Sequence, residues 1–305
     1  MSEVSVILPA YHEPLPVFRR AVDSILNQSF KDFELLLILD DPNNQELKRA
    51  IESYRESDCR VKVLYNERNL GLVGTLNRAI ESSTGSYICR MDADDISDLN
   101  RIELQLSFLK AHDFDLVGGF MHVIDETGEP LYLIDSVPQS ADGIANGLRW
   151  NNCVPHPTWF GKRCVFEQRY RPVPFAEDYD FLIRAVLSGY KLGNVDRPVL
   201  SYRKTVQSIS RSNLFKQMLV QKALVKSYRH GRTVDPIEVS NLVEHQYSES
   251  KAIGYTKADA LFNSALTRLK SKHVASAVHL LIKVIFVSPE YTLKMVHLLM
   301  ASLYR

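Results

Sequence analysis

The sequence predicts an α/β protein with a mainly parallel central sheet and an α-helical C-terminal extension. Three observations carry this. Apolar runs of strand length alternate with helically spaced segments through the first hundred residues, and those runs are continuous, as in strands buried on both faces. Beyond Ser212 only helical spacing recurs.

Taken in order, Val4 to Leu8 reads as a strand closed at Pro9, and Phe18, Ala21, Val22, Ile25 and Leu26 mark a helix. Glu34 to Leu39 is the second strand, Leu47 to Tyr54 a helix, Val61 to Tyr65 the third strand, Leu72 to Ile80 a helix and Tyr87 to Met91 the fourth strand. The pattern then loosens into a helix at Ile102 to Leu109, a strand at Leu116 to Gly118 and a hairpin around Glu126 to Pro130. TWF reads as a strand, Asp180 to Ser188 as a helix, and Lys191 to Val195 and Val199 to Tyr202 as two short strands. Helices follow at Leu214 to Tyr228, Lys257 to Leu269, Val274 to Val287 and Tyr291 to Leu303.

At 305 residues, 45% hydrophobic and 24% charged, the chain has the composition of an ordinary globular protein, which excludes disordered and fibrous classes. No window reaches the ~18 apolar residues of a membrane span, and MSEVSVILPAY lacks the basic and apolar regions of a signal peptide. A cytoplasmic location is expected. Cys59, Cys89, Cys153 and Cys164 show no metal or disulfide spacing. The net charge of +1 is divided unevenly, with −9 over residues 1–200 and +10 over 201–305. This places a boundary near residue 205 and gives the tail a preference for anionic partners, lipid headgroups or nucleic acid.

On an open parallel sheet, ligands sit beyond the carboxyl ends of the strands. Here those ends are polar: Pro9-Ala-Tyr-His-Glu13, Asp40-Asp41-Pro-Asn-Asn44, Asn66-Glu-Arg-Asn69-Leu-Gly71 and Asp92-Ala-Asp94-Asp95. Three carboxylates in four residues repel one another unless a cation or strong donors compensate, and hard oxygen ligands suit Mg2+ or Mn2+. The alternative is a solvated turn with Asp98 capping the next helix. GxGxxG, GxxxxGK[ST] and GxSxG are absent, which counts against dinucleotide dehydrogenases, P-loop enzymes and hydrolases.

Together VSVILPAYHE, ILDDPN, NLGLVGTLNRAI, MDADD and, further on, PFAEDYDF resemble, in order and spacing, the family-two inverting glycosyltransferases of GT-A fold. These are nucleotide-sugar enzymes of bacterial O-antigen, capsule and exopolysaccharide synthesis. The resemblance implies a catalytic domain at 1–205, with a nucleotide-sugar half at about 1–98 and an acceptor half at about 99–205, followed by a basic helical extension at 206–305. It places Pro9, Tyr11, Glu13, Asp40, Asp41, Asn69, Gly71, Asp92 and Asp95 around the nucleotide sugar. Asp41 would accept from the imide N–H of uracil, a donor that cytosine and adenine lack, so the donor is expected to be a UDP-sugar. Where the family continues with Gly-Ser, this chain has Pro42-Asn43.

Asp94, with Asp92, would hold Mn2+ or Mg2+, and Asp178, beside Glu177, would be the general base. His156, between Pro155 and Pro157, is a candidate for acceptor or diphosphate contact, its alternative being a surface loop residue. Tyr202-Arg203, followed by Ser208 and Ser210, resembles the end of the catalytic domain, where Arg203 could meet the diphosphate. The QxxRW sequence of processive synthases does not follow, which implies transfer of one hexose, glucose or galactose, to a polyprenyl-diphosphate-linked saccharide. Other readings are a non-catalytic nucleotide-sugar-binding scaffold and a sugar nucleotidyltransferase. The apolar helices near the C-terminus suit either packing, on the body or on a second copy, or peripheral contact with the inner membrane face through Lys216, Lys222, Lys226, Arg229 and Arg232.

Overall fold

The computed structural model describes residues 2–205 and 213–304; Ser208 and Ser210 lie outside them. Strands β1 (Val4–Ala10), β2 (Phe33–Leu39), β3 (Val61–Tyr65) and β4 (Tyr87–Arg90) are parallel and ordered β3-β2-β1-β4. The connections run through helices α1 (Leu15–Leu26), α2 (Gln45–Ser57) and α3 (Gly71–Ser82).

The strand read as ending at Pro9 continues through it to Ala10. The Ala10 carbonyl accepts from Asp40 of the β2 side and the Ile7 carbonyl from Met91 of the β4 side, so Pro9 turns its missing donor toward β4. There β4 has already ended, opposite Ile7, and no ladder bond is lost.

Next come β5 (Ile96–Ser97), α4 (Arg101–Ala111), β6 (Leu116–Ile124), β7 (Pro130–Ile134), α5 (Ala141–Gly147), β8 (Phe160–Lys162), α6 (Arg163–Phe166), α7 (Glu177–Leu187) and β9 (Leu192–Arg203). They extend the sheet as β4-β8-β6-β9-β5, with β8 antiparallel to β4 and β6, and β7 added to β6. The two short strands expected between Lys191 and Tyr202 are one strand. Its register against β6 jumps from Val195 to Pro198, so the interruption at Asp196-Arg197 is a bulge and not a turn.

Helices α8 (Leu214–Arg229), α9 (Pro236–Gln246), α10 (Glu249–Lys270), α11 (Val274–Val287) and α12 (Pro289–Ser302) complete the described chain. Sequence reading missed α9, although Asp235 accepts from the Ile237 and Glu238 amides ahead of a first-turn proline. No helix among the described residues is long and apolar enough to cross a membrane.

Alternate residues of β1 serve two cores. Val4, Val6 and Leu8 face α1 and α2, packing with Phe18, Val22 and Ile51, while Ile7 joins Leu76, Ile80, Trp159 and Phe181 on the other face. This second core does not stop at residue 205. It runs on through Phe215, Leu219, Leu224, Tyr255, Val284 and Tyr291, so apolar packing crosses the charge boundary.

A buried carboxylate ties the N-terminal edge together. Ser5 and the Thr84 amide and hydroxyl donate to Glu34, which also pairs with Lys62. Burial works against the charge, but Lys62 and these donors outweigh it and hold the carboxyl at about 2. Because the folded value lies below the ordinary one, the stabilisation is full above about pH 4.5 and is lost as pH falls toward 2. Acid titration of stability should therefore show a smaller loss in this window for Glu34→Gln, by on the order of 2 kcal/mol after allowing for screening at half-exposed Lys62. Identical acid profiles for variant and wild type would reject this role.

Candidate active site

Between β1 and β4 the chain connections diverge to opposite sides, and the polar strand ends meet at this switch point. After β1, exposed Tyr11 leans on His12 at 3.9 Å between ring centroids, and the Tyr11 amide donates to Glu13 Oε2 at 2.8 Å. His12 Nε2 lies 3.1 Å from Asp41 Oδ2, and the Asn43 amide donates to Asp41 Oδ1 at 2.9 Å. Asn44 donates from its amide nitrogen to the Tyr11 carbonyl and accepts from the Leu47 amide, joining this loop to the start of α2. Pro42-Asn43 thus forms a closed turn on Asp41.

Asp40 stands directly after β2. It is buried, and its Oδ1 accepts from Asn66 Nδ2 at 2.6 Å and from the Leu70 amide at 2.8 Å. Its work is to hold the loop ahead of α3. In that loop Asn69 accepts from the Gly71 amide, and Gly71 takes φ +69°, a left-handed conformation that suits a residue without Cβ. Asn69 and Gly71 are both exposed at the rim.

The carboxylate oxygens of Asp92, Asp94 and Asp95 lie within 4.8 Å of one another. Their environments differ. Asp92 forms a bidentate pair with Arg90, a buried guanidinium at the end of β4. Asp95 is fully buried; its Oδ1 accepts from the Arg203 amide at 2.8 Å, and its Oδ2 has no partner among the described residues. Asp94 is half-buried, and no other side chain donates to its carboxylate among the described residues. Burial raises Asp94 above the usual carboxylate range, and Asp92 and Glu13 raise it further; burial, Asp92 and Asp94 do the same to Asp95. Burial likewise raises Glu13. Such uncompensated hard oxygens fit a divalent cation, with Asp94 and the second oxygen of Asp95 free to ligate and Asp92 engaged by Arg90.

Arg203 reaches this loop in a way the sequence did not indicate. Its Nε donates to the Asp94 carbonyl at 2.9 Å and its Nη1 to the Asp125 and Glu126 carbonyls at 3.0 Å. It pins the acidic turn to β9 and to the β6–β7 connection, with buried Nη2 left unpartnered among the described residues.

The second acidic group begins α7. Asp178 Oδ2 accepts from Asn152 Nδ2 at 2.8 Å and its Oδ1 from the Tyr179 amide at 2.7 Å. Burial raises both Glu177 and Asp178; Asp178 raises Glu177 further, while Arg90 lowers each. The support is rigid. Buried Asp180 pairs with Arg171 and Arg184, Arg184 donates to the Gln168 and Arg169 carbonyls, and Asn77 exchanges two hydrogen bonds with the Tyr170 backbone.

His156 is neither a surface loop residue nor open to the site. It sits in a buried turn (His156–Thr158), its Nε2 2.8 Å from the Tyr170 hydroxyl and its ring edge-on to Trp159 at 4.5 Å. Burial, then Arg90, pushes its protonation well below the usual histidine value, so it stays neutral. Arg101 braces this turn by donating to the Arg90 and Pro157 carbonyls.

Sequence reasoning missed Arg90, whose charge acts on both acidic groups. A lone charge in the apolar run ICRM was the available signal, because a buried cation requires a buried partner. Nothing in the sequence marked Asn152.

Fold and acid arrangement together define a GT-A-type glycosyltransferase. The chain belongs to glycosyl transferase family 2, whose description matches residues 5–169. It is 33% identical over 215 residues to the O-antigen biosynthesis glycosyltransferase WbnJ of Escherichia coli, covering 69% of this chain and 83% of that one. It is 30% identical over 217 residues to UDP-Glc:alpha-D-GlcNAc-diphosphoundecaprenol beta-1,3-glucosyltransferase WfgD of Escherichia coli, covering 70% and 82%. Two solved structures share the fold. S. aureus TarS 1-349 in complex with UDP-GlcNAc has a TM-score of 0.60 at 16% identity, over 92% of this chain and 90% of that one. The mannosyltransferase PcManGT from Pyrobaculum calidifontis in complex with GDP-Man and Mn2+ has a TM-score of 0.60 at 15% identity, over 99% and 86%.

Proposed function

We propose that this transferase is metal-dependent and inverting. It moves a single hexose, glucose or galactose, from a UDP-sugar to a saccharide carried on a polyprenyl diphosphate, in O-antigen or capsule assembly. The observation that carries the reading is the pairing of two acidic groups, Asp92 to Asp95 and Glu177-Asp178, under the field of one buried cation, Arg90. The UDP-glucose and diphosphoundecaprenol in the name of WfgD support the donor and the acceptor class.

In this reading the Tyr11 to Glu13 and Asp41 to Asn44 loops seat the nucleoside, with Asp41 accepting from the base and Pro9 lining the same pocket. Asp94, with Asp95 or Asp92, holds the cation. A divalent ion, when bound, supplies Lewis-acid stabilisation of the charge on the departing diphosphate. Arg203 keeps the acidic turn in place, and Arg90 keeps Asp92 charged and oriented. On the opposite face of the sugar, Asp178 takes the proton of the acceptor hydroxyl as its oxygen bonds to the anomeric carbon. The bond from that carbon to the diphosphate breaks, UDP leaves, and an α-linked donor gives a β-linkage. Asn152 and the Tyr179 amide orient the Asp178 carboxylate for this transfer.

A thermal-shift screen of nucleoside diphosphate sugars, with and without Mn2+, tests donor and metal together. UDP-glucose or UDP-galactose should raise the midpoint more with Mn2+ than without. A larger rise with a guanosine donor, or rises indifferent to Mn2+, would reject the corresponding half of the reading.

A further inference from the structure

Helix α11 is built inside out. Its inward residues are small or β-branched, Ala277 and Val284, fully buried, as are Ala258 and Ala265 of α10, the helix it packs on. The two helices approach so closely at one end that a Cβ on Gly254 would stand 3.2 Å from the Val287 carbonyl oxygen. Most of its other apolar side chains point out, Leu280, Leu281 and Val287 being half-buried between the two faces. Val274, Val278, Ile282, Ile285 and Phe286 recur at i, i+4, i+8, i+11 and i+12, one helical face, and all are exposed, Phe286 by 84%. A contiguous apolar stripe of this kind on a helix marks a surface that is covered in use.

Charge selects what covers it. Residues 260–289 contain no Asp or Glu, while Arg268, Lys272 and Lys283 of the same segment are exposed. A two-fold pairing of the stripe with itself would bring these cations together with no carboxylate in the segment to neutralise them. An anionic bilayer offers an apolar layer for the Ile and Phe side chains and phosphates for the rim.

We propose that the outward face of α11 docks the protein on an anionic phospholipid surface, with Ile282, Ile285 and Phe286 entering the headgroup boundary and Lys272 and Lys283 meeting phosphates. This goes beyond the transfer reaction. It is read without donor or acceptor, so its failure leaves the transferase reading intact, and the reverse holds too.

The test is co-sedimentation of the full chain with vesicles of phosphatidylglycerol and phosphatidylcholine in equal parts, against phosphatidylcholine alone. The protein should pellet with the anionic vesicles and release as salt approaches ~1 M, where screening shortens to ~3 Å. The double substitution Ile282→Asp with Phe286→Asp, both at exposed sites, should cut partitioning at least ~10-fold by removing the apolar contribution. Its thermal midpoint should not change. Lys283→Glu should weaken binding and flatten its salt dependence with the stripe left whole. Absence of vesicle binding by the wild type, or equal binding by the double variant, would overturn the proposal. So would a dimer in sedimentation velocity that the double substitution dissolves while vesicle binding persists.

Discussion

Asp178→Asn should lower turnover by ~10²-fold or more, the usual effect of losing a general base, while leaving donor affinity within about twofold. The argument is local. Asn keeps an acceptor for the Tyr179 amide, which now donates to Oδ1 at 2.7 Å, and gives up only the bond from Asn152, whose own Oδ1 is held by the Val154 amide. The helix start is therefore kept and only the proton-accepting oxygen is lost. A thermal midpoint close to wild type, with turnover collapsed, separates this from misfolding. Burial raises Asp178 above the ordinary carboxylate value, so the acidic limb of kcat/KM should fall at a pH above about 4, with activity lost as the carboxylate takes up its proton. Normal turnover by the variant, or a product that keeps the donor's anomeric configuration, would remove Asp178 from this role.

Asp94→Ala should be at least as damaging, because it removes the carboxylate that would lead in holding the cation and with it electrostatic stabilisation of the leaving diphosphate, a loss of ~10²–10³-fold or more. The geometry adds a second expectation that points the other way. Burial and the facing charges of Asp92 and Glu13 disfavour the ionised Asp94. In chelator, then, the variant should unfold at the same temperature as the wild type or higher, and added Mn2+ should stabilise only the wild type. Transfer that proceeds at full rate in excess chelator would return the cluster to a capped turn.

Much of this is legible in the sequence. The first four strands and their crossovers announce themselves because strands buried on both faces must be apolar throughout, and the same chain direction puts their polar ends together. What stayed hidden depends on partners remote in sequence. Asn152 meets Asp178 across 26 residues, and Asn77 grips Tyr170 across 93. Asp40 looked like a ligand for the nucleotide because it stands beside Asp41. Only the folded loop shows that Asn66 and Leu70 claim it. The setting of His156 was hidden in the same way, since flanking prolines suggest an aimed side chain and do not announce the aromatic cluster of Trp159 and Tyr170 around it.

The continuity of the second core through α7 and α8 bears on how such enzymes diversify. Phe181 and Leu182 of the helix that begins with the acid pair share one packed layer with Phe215 and Leu219 of the tail. A chimera joined at the charge boundary near 205 would set a foreign helix against this layer, leaving holes or clashes behind the acids. A graft that carries residues 177–304 as one piece keeps these four side chains together but parts Phe181 from Trp159 and Tyr170, whose rings lie 5.1 and 4.8 Å away. A change in the C-terminal helices is thus felt at the helix that bears Asp178, so exchanging the tail requires repacking behind the acids.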